Sequence, residues 1–137
     1  MDYKKYYKKR FLGHLISMPF IWGILPFMLA LDLVAEIYHQ VCFPLYGIKK
    51  FKRSEYIVVL DRNRLQYLNP FEKIGCMYCG YANGLVEYLK AIANRTEKYW
   101  CGVMHQAKPG LRIQAHQIEQ NFSEFGNEEE FKKRYYN

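Results

Sequence analysis

Cysteine and histidine residues in the second half of the chain have the types and the spacing of a metal site. Cys76 and Cys79 stand at C-x-x-C spacing, a pattern by which a tight turn binds one ion, and Gly80 after them permits positive φ. Cys101 and His105 follow, four positions apart. The pattern C-x2-C-x21-C-x3-H supplies four nitrogen and sulfur ligands, which is typical of tetrahedral Zn²⁺. It predicts a closed, structural zinc site.

The same residues leave other interpretations open. Iron or an iron-sulfur cluster uses the same ligands, and the turn at Cys76 and Cys79 is rubredoxin-like. Without metal, the C-x-x-C pair is a redox dithiol and Cys101 an ordinary buried thiol. His116 is a reserve ligand. Glu36 and His39 match half of a carboxylate di-iron signature, and we interpret them as the polar face of an interfacial helix.

An apolar segment precedes these residues. From Phe11 to Leu31 the only clearly polar side chains are His14 and Ser17, and a helix of this length spans about 31 Å, close to one hydrocarbon core. Apolar character continues to Ile48, with prolines at 19, 26 and 44. Residues 1–48 are therefore predicted to be a membrane anchor, either one helix or a re-entrant helix-break-helix. With no cleavage site after it, we expect this segment to be retained.

Positive charge is concentrated on both sides of the apolar segment. Two clusters of about +4 each account for the net charge of +7, which leaves the rest of the chain nearly neutral. This pattern favours contact with anionic lipid head groups and argues against a nucleic-acid partner, which needs a basic stripe on the folded domain. The head-group contacts are assigned to Lys4, Lys5, Lys8, Lys9, Arg10, Lys49, Lys50, Lys52 and Arg53.

Residues 49–137 are predicted to be a small cytoplasmic metal-binding domain of an α+β fold. Residues 56–60 and 65–68 are short β-type runs around a charged turn, which predicts a β-hairpin leading into the cysteine knuckle. Two to three packed helices are expected after it, over about 83–99, 111–125 and 128–134. Paired thiols in a chain with no export signal favour the reducing cytoplasm.

Several motifs together resemble a family of small uncharacterised proteobacterial membrane proteins. The likeness runs from about residue 11 to 132 and rests on Asp61-Arg62-x-Arg64-Leu65, Cys76-x-Tyr78-Cys79-x-Tyr81-x-Asn83-Gly84 and Trp100-Cys101 with His105. The resemblance implies a membrane location and matches all the candidate ligands, including His116, to the family's Cys/His positions. The chain departs from the family pattern at Gly102, where proline is typical, and at Asn127, where an acid is usual.

Three functions follow as expectations. The first is a non-catalytic accessory or scaffold protein in a membrane protein complex at the cytoplasmic face of the bacterial inner membrane, with zinc holding its small domain rigid. The second is a membrane-bound iron electron carrier that uses the same four ligands. The third is an interfacial enzyme acting on a lipid or lipid-linked substrate, with His105 or His116 as acid/base. The role of Cys42 in the apolar segment stays open between packing and lipidation.

Overall fold

The structure of the protein is a computed structural model that describes residues 10–136. The chain divides into two compact units, residues 1–50 and residues 51–137. Five α-helices lie in the described part: α1 (Phe11–Gly23), α2 (Leu25–Leu45), α3 (Pro70–Trp100), α4 (Ala115–Glu119) and α5 (Glu128–Tyr135), with short 3-10 turns at Arg53–Glu55 and Arg62–Arg64.

Helices α1 and α2 form one long apolar helix. Ile24, which lies between them, has helical dihedral angles (φ −74°, ψ −28°), so the chain does not reverse there. Pro26 lies in the first turn of α2, where its missing N–H is tolerated. The re-entrant alternative therefore has no support in residues 11–45. At 1.5 Å per residue the 35-residue helix is about 52 Å long.

The side chains of this helix are mostly exposed although they are apolar. Leu12, Phe20 and Phe27 are 65%, 72% and 77% exposed. Only 6% of the most apolar stretch is buried, and the helix is long and apolar enough to cross a membrane. A helix with apolar side chains on all sides is stable in water only when other elements cover it. Most of this apolar surface has no such cover within the described residues.

The predicted α+β fold is wrong. Of residues 10–136, 67% are helical, and this part of the chain has no strand and no sheet, only an isolated parallel bridge between Val103 and Ser123. The predicted hairpin is absent: residues 57–59 are irregular, and Arg62–Arg64 forms a 3-10 turn whose first N–H donates to Asp61. The β-type residues 56, 57 and 59 are partly covered, but what covers them is a helix and not a second strand.

Two glycines of α3 explain this packing. A Cβ on Gly80 would lie 2.6 Å from the carbonyl oxygen of Val58, and one on Gly84 would lie 2.5 Å from that of Tyr56. Without side chains at these positions, the backbone of residues 56–59 lies directly against the helix. Gly80 is therefore required for close approach, and its φ is not positive.

The predicted cysteine knuckle is also wrong, because Cys76 and Cys79 lie inside α3. The helix begins earlier than predicted, at a capping box in which Asn69 accepts from the N–H of Glu72 while Glu72 accepts from that of Asn69. Pro70 then fits the first helical position. Intrahelical hydrogen bonding across residues 70–100 leaves no turn whose N–H groups could point at the sulfurs.

The core of the second unit forms around the middle of α3. Leu85, Tyr88 and Ile92 are buried, and Phe122 joins them from the C-terminal segment. The ring of Tyr56 lies 5.6 Å from that of Tyr88. The predicted helix over 111–125 shortens to the single turn of α4. The predicted last helix is confirmed as α5, where Glu128 pairs with Lys132 at 2.5 Å.

Candidate functional site

The four predicted metal ligands do not meet at a common point. Cys76 is half-buried and Cys79 exposed, both inside α3, whereas Cys101 is exposed at its C-terminal cap. Cys79 and Cys101 are 22 residues apart on this helix, a separation of about 33 Å. His105 is exposed beyond the cap. Among residues 10–136 no group of three or more His, Cys, Asp or Glu side chains is placed to hold a metal ion.

The reserve ligand, His116, is buried and hydrogen-bonded, unlike the exposed His105. Its side chain is only 6% exposed, and its Nε2 lies 2.7 Å from Oε2 of Glu97. The Nε2 of Gln117 donates to the other carboxylate oxygen at 3.2 Å. Both oxygens of Glu97 are thus engaged by neighbouring residues of α4. Glu97 holds His116 in one orientation.

This arrangement sets the chemistry of the imidazole. When Nε2–H donates to a carboxylate, the lone pair of the neutral ring is on Nδ1, which can then accept a proton or bind a ligand. The Nδ1 atom is buried and has no hydrogen-bond partner in the described part of the chain. The ring also packs edge-on against Phe122, with centroids 5.6 Å apart. The pair is a carboxylate-oriented histidine, a common component of catalytic and metal sites.

A clamp at the C-terminal end of α3 holds the segment that carries His116. The N–H of Ser123 donates to the carbonyl of Gly102 and the N–H of Met104 to that of Ser123, each at 2.8 Å. Nζ of Lys98 donates to the carbonyl of Asn121 at 3.0 Å. These bonds join the chain before and after α4 to the end of α3, so that Glu97 and His116 remain opposed.

Gly102 is the residue that makes this clamp possible. Its φ is +52°, and a Cβ there would collide with the hydroxyl of Tyr135. That hydroxyl donates to the carbonyl of Lys98 at 2.7 Å, which ties α5 to α3. Proline, with φ fixed near −65°, cannot adopt this conformation. The local turn of this chain therefore requires glycine at position 102.

A cleft of about 820 Å³ opens beside the Glu97–His116 pair. His116 forms part of its wall, and charged side chains of both signs line it from α3 and from the segment before α4. Polar groups that converge on one cavity are typical of a site for a small ligand. The charged and amide side chains of the lining, apart from His116, are Glu87, Lys90, Asn94, Arg112, Gln114 and Glu119.

Only one residue of the Glu97–His116 pair was predicted from the sequence. His116 was singled out as a ligand or an acid/base, but Glu97 was not, because the two are 19 positions apart and only the clamp brings them together. The cleft residues of α3 do share a signal. Glu87, Lys90 and Asn94 recur at the three- and four-residue spacing of one helical face, opposite the buried face that the periodicity identifies.

The predicted head-group contacts are only partly within the described residues. Lys4, Lys5, Lys8 and Lys9 lie outside them. Of the others, Lys50 donates to Gln40 at 2.8 Å, and the guanidinium of Arg53 lies 5.6 Å from the centre of the Tyr88 ring. Arg53 thus contributes to packing in the second unit.

Comparison with known proteins gives no further assignment. No protein-family model matches the chain, and no curated protein and no solved structure is significantly similar to it.

Proposed function

We propose that this protein is a membrane-anchored accessory protein of the bacterial inner membrane, with residues 51–137 on the cytoplasmic side. The observation that carries the proposal is the exposed apolar surface of the helix Phe11–Leu45. In water these side chains would cost free energy in proportion to their area, roughly 25 cal/mol per Å². A bilayer removes this cost, because lipid tails are as apolar as the side chains.

The charge pattern supports contact with a membrane surface. The basic clusters lie at both ends of the apolar segment, and Lys49, Lys50 and Lys52 directly follow the helix that contains Leu45. Clusters of this kind attract anionic lipids of the cytoplasmic leaflet at about 1 kcal/mol per residue. Retention of the segment keeps the second unit at the membrane surface.

Exposed aromatic residues support an accessory role in a larger complex. Tyr67, Phe71 and Trp100 in the second unit are 80%, 86% and 65% exposed. Large apolar side chains are enriched in protein interfaces and at membrane surfaces. The four-ligand zinc or iron site within one chain has no support from the geometry, so neither a zinc-stiffened domain nor a one-chain electron carrier is part of this proposal.

Membrane fractionation tests the anchor. The full chain should remain in the pellet after washes with about 1 M salt and with alkaline carbonate. These washes remove proteins that are held at a membrane by charge alone. Release by salt would mean that the basic clusters, and not the apolar helix, hold the protein. Recovery of the untreated chain in the soluble fraction would contradict the proposal.

A second function, an interfacial enzyme, is favoured by one specific observation: the Glu97–His116 pair beside the cleft. In this role Glu97 orients the ring, and Nδ1 of His116, which is buried in this structure, accepts a proton once the cleft opens to it. Lys90 and Arg112 in the cleft wall would bind an anionic group such as a phosphate. His105, the other predicted acid/base, is exposed and lies outside the cleft lining.

Hydrolysis of chromogenic acyl and phosphate esters presented in detergent micelles tests the enzyme. Turnover by the full chain should fall at least about 100-fold in His116→Ala, as expected for loss of a general base, and remain unchanged in His105→Ala. Equal turnover by both variants would show that His116 is not the base. Absence of any turnover with either ester class would leave the accessory role as the supported function.

A further inference from the structure

Cys76 and Cys79 form half of a metal site. They are three positions apart on α3, so their Cβ atoms lie about 5–6 Å apart on one side of the helix. Neither is in a disulfide, and solvent reaches both. Two thiolates at this spacing bind one soft divalent ion, but a tetrahedral zinc site needs four ligands.

The other ligands do not come from the same chain. Within the described residues no third His, Cys, Asp or Glu side chain is placed with the pair, and Cys101 is about 33 Å away along the helix. A second molecule must therefore complete the coordination. A second copy of this chain supplies the same two thiols in the same geometry, and four thiolates are the ligand set of a structural zinc site.

The surface around Cys79 is suited to a second α3 helix. Gly75, Cys79 and Val86 follow the alternating four- and three-residue spacing of a helix-pairing seam, together with Ala82 and Ala93. A Cβ on Gly75 would meet nothing within 4 Å, and Val86 is 56% exposed. Small residues along such a seam allow two helices to approach closely. The cleft residues Glu87 and Asn94 lie to one side of this seam.

This proposal rests on the proposed membrane anchor, which holds two copies of the chain in one bilayer. Confinement to the membrane also raises their effective concentration.

We propose that Cys76 and Cys79 of two copies of this protein bind one Zn²⁺ ion and so join the copies into a dimer. Each thiol releases its proton to solvent when it binds the ion. The stoichiometry is one zinc per two chains, which differs from the one ion per chain of a closed intrachain site.

Zinc content and oligomeric state of the full chain test the proposal. The protein would be purified in detergent under reducing conditions, with micelles in excess over protein, and titrated with Zn²⁺. We expect half an equivalent of bound zinc and a shift from monomer to dimer that a chelator reverses. One zinc per chain in a monomer, or no bound zinc at all, would overturn the proposal.

Matched cysteine variants make the test specific. Cys79→Ser should abolish zinc-dependent dimerisation, whereas Cys101→Ser, which alters an equally exposed thiol at the far end of the helix, should not. Loss of dimerisation in Cys101→Ser would place the site elsewhere and contradict the proposal. Circular dichroism confirms that both variants fold. Because the assay is done in micelles, its outcome is separate from that of the carbonate extraction, which tests the anchor itself.

Discussion

The two units of the chain use apolar residues in opposite ways. In residues 11–45 large apolar side chains such as Phe27 point outward and are exposed, whereas in residues 51–136 Leu85, Tyr88 and Ile92 are buried in a core. The second unit is thus stabilised by contacts within the chain, and the first lacks such contacts on most of its surface. The difference indicates that the two units are made for different solvents.

Glycine shows the same contrast. A Cβ on Gly13 or Gly23, in the first unit, would meet nothing within 4 Å, whereas one on Gly80 or Gly84 would collide with the backbone of residues 56–59. At Gly13 and Gly23 the apolar helix therefore has room for a side chain. The second unit depends on close packing at its glycines, and single substitutions should show this difference in stability.

The largest effect is expected from Gly84→Leu. Its Cβ would lie 2.5 Å from the carbonyl oxygen of Tyr56 and 2.8 Å from Cα of Ile57, both backbone atoms that cannot move aside cheaply. We expect a loss of about 4 kcal/mol or more in the free energy of unfolding, measured by denaturant titration in detergent.

Gly75→Ala on the same helix is the control. Its Cβ would enter open space, so the better helix propensity of alanine should raise stability by about 0.5–1 kcal/mol. Comparable losses in Gly84→Leu and Gly75→Ala would contradict the close-packing explanation.

The next largest effect is expected when a charge is introduced at one of two leucines of similar exposure, Leu29 at 52% and Leu60 at 57%. Leu29→Arg places a charge in the apolar helix and should oppose membrane insertion by about 3 kcal/mol. Leu60→Arg places the same charge on the second unit, where water solvates it, and should change stability by under about 0.5 kcal/mol. Membrane pelleting and thermal unfolding measure the two. If both variants are found in the membrane pellet to the same extent, the two units do not differ in whether lipid or water surrounds them.

A smaller effect is expected from His116→Ala. It removes the Nε2 partner of Glu97 and a buried ring against Phe122, and we expect a loss of about 1–3 kcal/mol in unfolding free energy. His105→Ala, at an exposed position, should leave stability within about 0.5 kcal/mol of the original. Chemical denaturation compares them. An unchanged stability in His116→Ala would mean that the pair does not hold α4 in place.

The smallest effect is expected at Tyr135. Burial raises the pKa of this phenol, the nearby Arg134 charge opposes the rise, and Cys101 adds to it. A raised pKa in the folded state means that the protonated phenol is stabilised, and this stability is present below pH about 10 and lost above it. Tyr135→Phe should cost about 1 kcal/mol at pH 8, and its difference from the original chain should shrink as the pH rises above about 10.

Tyr136→Phe, at an exposed position, is the control for this titration and should show no pH-dependent difference from the original chain. A constant difference between Tyr135→Phe and the original chain across the alkaline range would mean that the bond from the phenol to Lys98 does not depend on its proton.

The sequence predicted the apolar helix and the last helix because both are local patterns. A run of apolar residues and a helix with acids first and bases last need no knowledge of distant contacts. The start of α3 is also a local pattern, because Asn69, Pro70 and Glu72 are a capping sequence. The helix was nevertheless predicted to begin only at about residue 83, because the C-x-x-C spacing suggested a knuckle before it.

The cysteine knuckle was predicted from a spacing that also occurs on one face of a helix. Residues three apart meet at a turn, but they also share a helical face. Gly80 suited a knuckle, yet its role depends on residues 56–59, which lie more than 20 positions earlier. The Glu97–His116 contact similarly depends on the clamp at Gly102, which no local pattern reveals.

The length of the apolar helix has a consequence for its fit to a bilayer. A hydrocarbon core of about 30 Å accommodates only about 39 Å of helix even at a steep tilt of about 40°, and this helix is about 52 Å long. Hydrophobic mismatch would therefore expel one end. The last turns, where Glu36 and Gln40 interrupt the apolar surface, are the end that tolerates head groups and water. Bilayer thickness would then set the depth at which the helix rests.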